Sequence, residues 1–339
     1  MTVVVVGAGI VGASVAYHLA RRGARVTLVD REAAPAAGVT GGSFAWIGGC
    51  GGDWPGGAED LRGSVLADHR RLEAELPEVE VRWSGSLTWG GAPVGSGPGE
   101  GRYRLGAAEI GALEPGLRAP PDGAVHTPSD GGVDPVAVTG ALVRAAAALG
   151  ARVVPGAAGV ALDLADGRVT GVTSSAGFHP ASTVVLAAGT GVPELVAPLG
   201  VELPIQASPA CLVRLTAPPG LVRTIVAGPD FEVREVRAGQ LLMTLPRAVS
   251  GETALRRLRA AFHGADGCRV LDSRVSARPI PVGGPLLGPL TPDGSVYVAV
   301  LHSAVTLAPT VGRLVAQEIV TGEAAEELRR CRPRRGLPR

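Results

Sequence analysis

The 339-residue chain contains no lysine and no asparagine. Without lysine there is no Schiff-base amine, no Walker-loop lysine and no lysine general base, and all 32 basic side chains other than histidine are arginine. Net charge is also scarce. The 32 basic and 31 acidic residues leave +1, which removes the electrostatic case for nucleic acid or an anionic membrane as partner. The only cysteines are Cys50, Cys211, Cys268 and Cys331. None forms a C-x-x-C pair and no Cys/His cluster has zinc spacing, so free thiols, a cytoplasmic location and no metal site are expected. No apolar run reaches the roughly 18 residues that a transmembrane helix needs. The N-terminus lacks the basic region of a signal peptide.

What is present begins at once. Residues 3–6 form an apolar run, and Gly7, Gly9 and Gly12 follow in G-x-G-x-x-G spacing. Residues 13–22 read as a helix, and residues 24–29 as a second apolar run ending at Asp30. This is a dinucleotide-binding fingerprint in full register. Gly7 permits the tight turn, Gly9 lets a pyrophosphate approach the backbone, and Gly12 allows the helix to pack on the strand. The helix N-terminus, at Ile10 and Val11, offers free N–H groups to the phosphates. Asp30 is placed to accept hydrogen bonds from a ribose 2′-hydroxyl and would repel a 2′-phosphate; Arg31 is grouped with it. A second fingerprint is absent, so one dinucleotide is the only cofactor and the substrate reduces it directly.

Further along, residues 58–76 have helical spacing, and residues 79–89 alternate like strands with a turn at Ser84 and Gly85. Residues 90–101 read as a loop and 107–113 as a short helix. Asp134 and Pro135 supply the N-cap and first residue of a helix that Gly150 stops. Residues 151–154 form a strand, and 160–172 a hairpin turning at Asp166 and Gly167. Residues 183–189 form a buried strand ending in small residues. Residues 201–245 and 268–278 are rich in strands, with a helix over 252–262 between them. The last strand spans 296–301 and the last helix 309–321. The order predicts an α/β protein: a Rossmann-type nucleotide domain assembled from residues 1–78, 130–203 and 277–325. An antiparallel β-rich substrate domain, residues 79–129 and 204–276, is inserted into it. Residues 326–339 form a basic tail expected to be flexible.

Four segments together resemble the FAD-dependent D-amino acid oxidase family, which includes glycine and sarcosine oxidases and D-amino acid dehydrogenases. They are the fingerprint with Asp30; residues 40–47 (TGGSFAWI); residues 131–135 (GGVDP) with the following helix and residues 184–189; and residues 277–309, containing ARPIP, GPLLG and His302-Ser303. The resemblance spans nearly the whole chain. It implies FAD as cofactor, with Gly42, Ser43, Val160, Ala188, Gly189, Ser303, Val305 and Thr306 added to the binding residues. It implies non-covalent attachment, because no histidine lies between Leu19 and Ala67 and Cys268 does not match the cysteine-linked relatives.

The resemblance also implies the reaction: hydride transfer from the carbon bearing an amine to flavin N5, giving an imine that water hydrolyses. Arg278 aligns with the family's substrate arginine, whose planar fork suits a carboxylate. His302 is placed near the flavin, and Phe44 and Trp46 are placed at the substrate cavity. The amine must be neutral, so activity is expected to rise with pH. Oxygen or a redox partner is the electron acceptor, and the absence of lysine excludes the lysine-assisted oxygen activation of some sarcosine oxidases. Departures from the pattern are Gly283, Leu301 and a short stretch between Met243 and Arg278. Two alternatives stay open: oxidation of a 2-hydroxy acid, and a flavin-binding subunit that needs a partner.

Overall fold

The computed structural model describes residues 1–48, 55–90, 101–165, 168–245 and 250–333. The N-terminal strand, Thr2–Val6, lies near the middle of a six-stranded sheet. The spatial order is Leu286–Pro289, Val296–Val300, Thr183–Leu186, Thr2–Val6, Arg25–Val29 and Arg152–Val154. All neighbours are parallel except the Leu286–Pro289 edge. Val3, Val4 and Val5 are fully buried, because a central parallel strand is covered on both faces and needs apolar side chains on both. Val3 and Val5 pack with the helices Ile10–Arg21, Pro135–Ala148 and Ala304–Thr321. Val4 and Val6 pack toward a three-stranded antiparallel sheet that contains Val169 and Val172.

The second large sheet has eight strands. Their order is Arg269–Pro281, Ile205–Thr216, Gln240–Thr244, Glu232–Arg237, Ile225–Ala227, Ser86–Thr88, Gly123–Thr127 and Tyr103–Gly106. One face carries Leu87, Val226, Val233, Met243 and Val213. It is sealed by Ile110, Leu258 and Phe262 from the helices Ala107–Leu113 and Gly251–Ala261 and their ends. Period-2 alternation then sends the intervening side chains to the opposite face.

Several expectations need correction. In residues 79–89 only Ser86–Thr88 enters the sheet; Val79 and Val81 are buried in the first core instead, and Gly85 takes the turn at φ 72. The 58–76 helix is two helices, Ala58–Arg62 and Val65–Glu75, separated at Gly63 and Ser64. The last helix begins at Ala304, not Pro309. Pro309 forgoes one ladder bond, yet burial of Val305, Leu307 and Ala308 holds the preceding turn in place. The tail is docked as far as residue 333. Leu328 and Cys331 are fully buried, Arg330 meets Glu59, and the Arg332 guanidinium donates to Glu318 at 2.8 Å. The turn at Asp166 and Gly167, and most of the 90–101 loop, lie outside the described residues.

The first and last helices touch closely. A Cβ on Gly312 would lie 2.2 Å from Ser14 Oγ, and that hydroxyl donates to the Ala308 carbonyl at 2.7 Å. Beside this contact two histidines are buried. His69 Nε2 donates to the Thr306 carbonyl at 2.9 Å, while His18 Nε2 and His69 Nδ1 have no partner. Burial pulls their pKa values down, His18 to about 3 and His69 to about 4. The unfolded chain protonates both below about 6.5 and the folded chain does not, so stability falls as pH falls. Between pH 7 and pH 5 each histidine removes about 2 kcal/mol. Urea unfolding at the two pH values is expected to differ by about 4 kcal/mol from this pair. A difference below about 1 kcal/mol would contradict it.

Candidate active site

The glycine turn after the first strand is built by close backbone approach. Gly7 leaves the first strand at φ 108, and a Cβ there would lie 2.6 Å from the Ala187 carbonyl oxygen. A Cβ on Gly12 would lie 1.9 Å from the Gly7 carbonyl oxygen. Both positions therefore require glycine for packing alone. Gly9 is different, since a Cβ there meets only Thr40 Oγ1, at 3.2 Å. Gly9 caps the helix Ile10–Arg21 without a side-chain hydrogen bond, and no acidic residue stands in the first turn. Ile10 N donates to Thr40 Oγ1 at 3.1 Å. A helix N-terminus with small residues in front of it has the chemistry to receive an anion. Asp30 stands beside the glycine turn, where its carboxylate accepts from the Ala8 and Glu32 backbone N–H groups, the latter at 2.8 Å.

Ile10 also lines a cavity of about 1240 Å³, above the roughly 300–1,000 Å³ of a site for one small ligand. The cavity is lined as well by Thr40, Gly42, Ser43, Phe44, Ala45 and Trp46, and by Ser303, Val305 and Thr306 at the start of the last helix. Two of these residues hold left-handed backbone that disfavours a side chain, Ala45 at φ 57 and Ser303 at φ 55. Such strain persists only where the surroundings impose it. Here Thr306 Oγ1 donates to the Trp46 carbonyl at 2.7 Å, tying the two segments together.

The far wall is the open face of the eight-stranded sheet. Leu212, Thr244, Glu232, Ala227, Thr88, Val125 and Arg104 are successive cross-strand partners, so they form one row. All seven line the cavity.

Arg278 lies on the neighbouring strand opposite Ser208. Its Nη2 donates to Ser208 Oγ at 3.1 Å, and its Nε is buried without a partner. His302 lines the same cavity; desolvation and the Arg278 charge both hold its pKa below the usual value. Phe44 and Trp46 meet edge to face at 6.5 Å between centroids.

The structure thus brings Arg278, His302, Phe44, Trp46, Ile10, Gly42, Ser43, Ser303, Val305 and Thr306 to one cavity. Gly7, Gly12 and Val11 lie behind it in packed backbone and core. Arg31 is exposed and pairs with Glu32 at 3.4 Å. Val160 and Ala188 pack against the core that contains Val4, and Gly189 takes φ 58 near Pro279.

Sequence reasoning missed three charged groups. Asp130 is 5% exposed and lines the cavity. Its Oδ2 accepts from Trp46 Nε1 at 3.0 Å and Ser86 Oγ at 2.7 Å, while Oδ1 has no partner. Burial raises its pKa. Glu232 lines the wall; burial raises its pKa and the Arg278 charge opposes the rise. Arg234, on the same strand face as Glu232, is 1% exposed. Its Nε donates to the Phe44 carbonyl at 2.8 Å and its Nη2 to the Val133 carbonyl. Burial lowers its pKa to about 9. Gly132 makes room for it, since a Cβ there would lie 2.7 Å from the guanidinium carbon. The available signal was the pattern of residues 232–237 (EVREVR), which puts charges on both faces of a strand inside a core.

Arg234 therefore clamps the cavity loop at Phe44. Arg234→Ala is expected to leave two buried carbonyls without donors and to open a void, destabilising the protein by about 3 kcal/mol or more. An unchanged denaturation midpoint would contradict that role.

Among the described residues no helix is long and apolar enough to cross a membrane, and no group of His, Cys, Asp or Glu is placed to hold a metal ion. A family model described as FAD dependent oxidoreductase matches residues 2–318. The chain is 27% identical to "Uncharacterized oxidoreductase YurR" of Bacillus subtilis (strain 168), with 95% of each chain covered. Its fold is that of glycine oxidase from Geobacillus kaustophilus, at TM-score 0.88 and 23% identity, with 99% of this chain and 98% of that chain covered. Iminodiacetate oxidase from Chelativorans sp. BNC1 superposes at TM-score 0.83 and 24% identity, covering 98% of each chain.

Proposed function

The chain belongs to the FAD dependent oxidoreductase family, and from that premise we propose that it oxidises the C–N bond of a small amino acid or N-alkyl amino acid with non-covalently held FAD. The observation that carries the substrate class is Arg278, whose buried Nε lacks a partner in the cavity wall. A guanidinium with a free, desolvated donor is a receptor for a carboxylate oxygen. The names of the two structural neighbours, glycine oxidase and iminodiacetate oxidase, give amines that carry carboxylates. These names support the same reading.

The residues fit the cofactor at both ends. Gly9 and the helix start without a side chain on its cap present backbone N–H groups to a pyrophosphate, that of Ile10 being already held by Thr40 Oγ1. Residues 42–46 and the N-terminus of Ala304–Thr321 line the space beyond, and the helix start favours negative charge there. When bound, FAD supplies a two-electron acceptor whose reactive atom the cavity wall must face. The chain itself does the positioning. Ser208 fixes one arm of Arg278, leaving the rest of the fork for the carboxylate. Phe44 and Trp46 give the cavity an apolar lining against which the substrate packs.

The test is the visible spectrum of the purified protein, followed by anaerobic titration with glycine, sarcosine, D-alanine, D-proline and the matched 2-hydroxy acids. A flavin spectrum that bleaches with an amine and not with its hydroxy analogue is expected. Bleaching by hydroxy acids alone would overturn the proposal.

A further inference from the structure

We infer that Glu232 is a second recognition point, receiving the amine of the incoming zwitterion as ammonium while Arg278 holds the carboxylate; the ammonium proton passes to solvent before the chemical step, which needs the neutral amine. This rests on the reading of the cavity as an amino acid site and goes on to say how the amine is selected.

Register places Glu232 on the cavity side. It is flanked by Ala227 and Thr244, both of which line the cavity, whereas the next residue, Val233, is fully buried in the core on the other face. Neither flanking side chain can satisfy the carboxylate. Ala227 has no donor, and the Thr244 hydroxyl is committed to the Cys211 carbonyl at 3.0 Å. Gly228 N, close by, donates to the Phe231 carbonyl.

The other shielded glutamates are treated differently. Glu114 accepts from the Arg223 and Thr224 backbones and the Thr224 hydroxyl. Glu235 accepts from Arg82, Gly220 N and Gly239 N. Glu318 accepts from Tyr297, Ala325 N and Arg332. These are structural carboxylates with their lone pairs filled, as buried polar groups generally are. Glu232 carries no such bonds among the described residues, and it lines the cavity that a ligand enters.

Arg278 does not fill the gap. The two charges share the cavity and Arg278 pulls the Glu232 pKa down, so each lies in the other's field. Yet they form no ion pair within 4.0 Å, and Arg278 turns one arm to Ser208 instead. A cation and an anion held apart across an open cavity complement a zwitterion, carboxylate toward arginine and ammonium toward glutamate. A 2-hydroxy acid brings only a neutral hydroxyl to Glu232. A second carboxylate at that end would meet like charge. The class selected is an amino acid with a positively charged primary or secondary amine next to the carboxylate.

The experiment uses two isosteric, unreactive probes on the FAD-loaded protein. Glycine betaine and 3,3-dimethylbutyrate have the same shape and carboxylate and differ by one positive charge. Binding is read as perturbation of the flavin band. The wild type is expected to bind betaine about tenfold more tightly than 3,3-dimethylbutyrate. In Glu232→Gln and Glu232→Ala that preference is expected to vanish, with 3,3-dimethylbutyrate bound as tightly as before or more so. The same preference in the variants, equal weakening of both probes, or no binding of either to the wild type would overturn the inference. So would a preference confined to the longer zwitterion 4-(trimethylammonio)butyrate, which would put the cation site away from the carboxylate. Unchanged FAD content in the variants reports that they fold. Because neither probe can be oxidised, this result stands apart from the bleaching test, which alone decides whether amines are substrates.

Discussion

Replacing Arg278 with alanine is expected to lower kcat/KM for a carboxylate-bearing amine by about 100- to 1,000-fold while flavin content stays at one per chain. The magnitude follows from the environment. Among the described residues Arg278 has a buried donor without a partner and no ion pair with a carboxylate, so a substrate carboxylate gains a charge-assisted hydrogen bond in a desolvated wall. Its removal leaves the substrate carboxylate unpaired in the same place, and the misplaced carbon also loses its alignment for hydride departure. Arg278→Lys is expected to recover only part of the loss, because an ammonium lacks the fork. Ser208→Ala should cost far less, as it loosens one arm and leaves the charge. Stopped-flow flavin reduction over a range of substrate concentration separates capture from the chemical step. Unchanged kcat/KM in Arg278→Ala would remove Arg278 from the site.

Gly9→Val is expected to give a folded protein that holds no FAD, whereas Gly12→Val is expected not to fold. The fingerprint treats the two glycines alike, but the structure separates them. At Gly12 an added carbon would sit 1.9 Å from the Gly7 carbonyl oxygen, so helix and strand must part. At Gly9 it meets only a threonine hydroxyl at 3.2 Å, which can shift by rotation. The cost of valine at Gly9 therefore falls on whatever approaches the backbone from the open side. The measurements are flavin absorbance per chain and far-UV circular dichroism. A yellow, stoichiometrically loaded Gly9→Val would show that the pyrophosphate does not lie against this turn.

Sequence made the nucleotide half legible because its constraints are local. A glycine that must adopt φ 108, an Asp134 side chain that accepts from Val136 N and Ala137 N, and a helix stopped at Gly150 are each written within a few residues. The family resemblance led to Arg278 and the residues 42–46 in the same way. What could not be read depends on chain segments meeting from far apart. Glu232 reaches the cavity because Thr244 and Ala227 lie on either side of it, and Asp130 because Trp46 and Ser86 converge on one of its oxygens. Arg234 is buried only because Gly132 leaves space for its guanidinium. The misplaced start of the last helix has a similar origin. Pro309 is a local stop signal, and the burial of Val305, Leu307 and Ala308 overrides it. Residues 326–333 read as a loose basic end because the ion pairs of Arg330 and Arg332 run to Glu59, Asp60 and Glu318. Trp54 and Cys50, in the glycine-rich stretch after Trp46, lie outside the described residues.

C–N oxidation is tested most directly by the fate of the substrate in one turnover. FAD-loaded protein is mixed without oxygen with a slight excess of the acyclic amine that bleaches it most, and the products are quantified. One equivalent of ammonia, or of the alkylamine from an N-alkyl substrate, together with one equivalent of 2-oxo acid per flavin reduced, is the result expected from C–N oxidation followed by imine hydrolysis. Flavin reduction with no nitrogen released, or a purified protein that takes up no FAD when it is supplied, would contradict it.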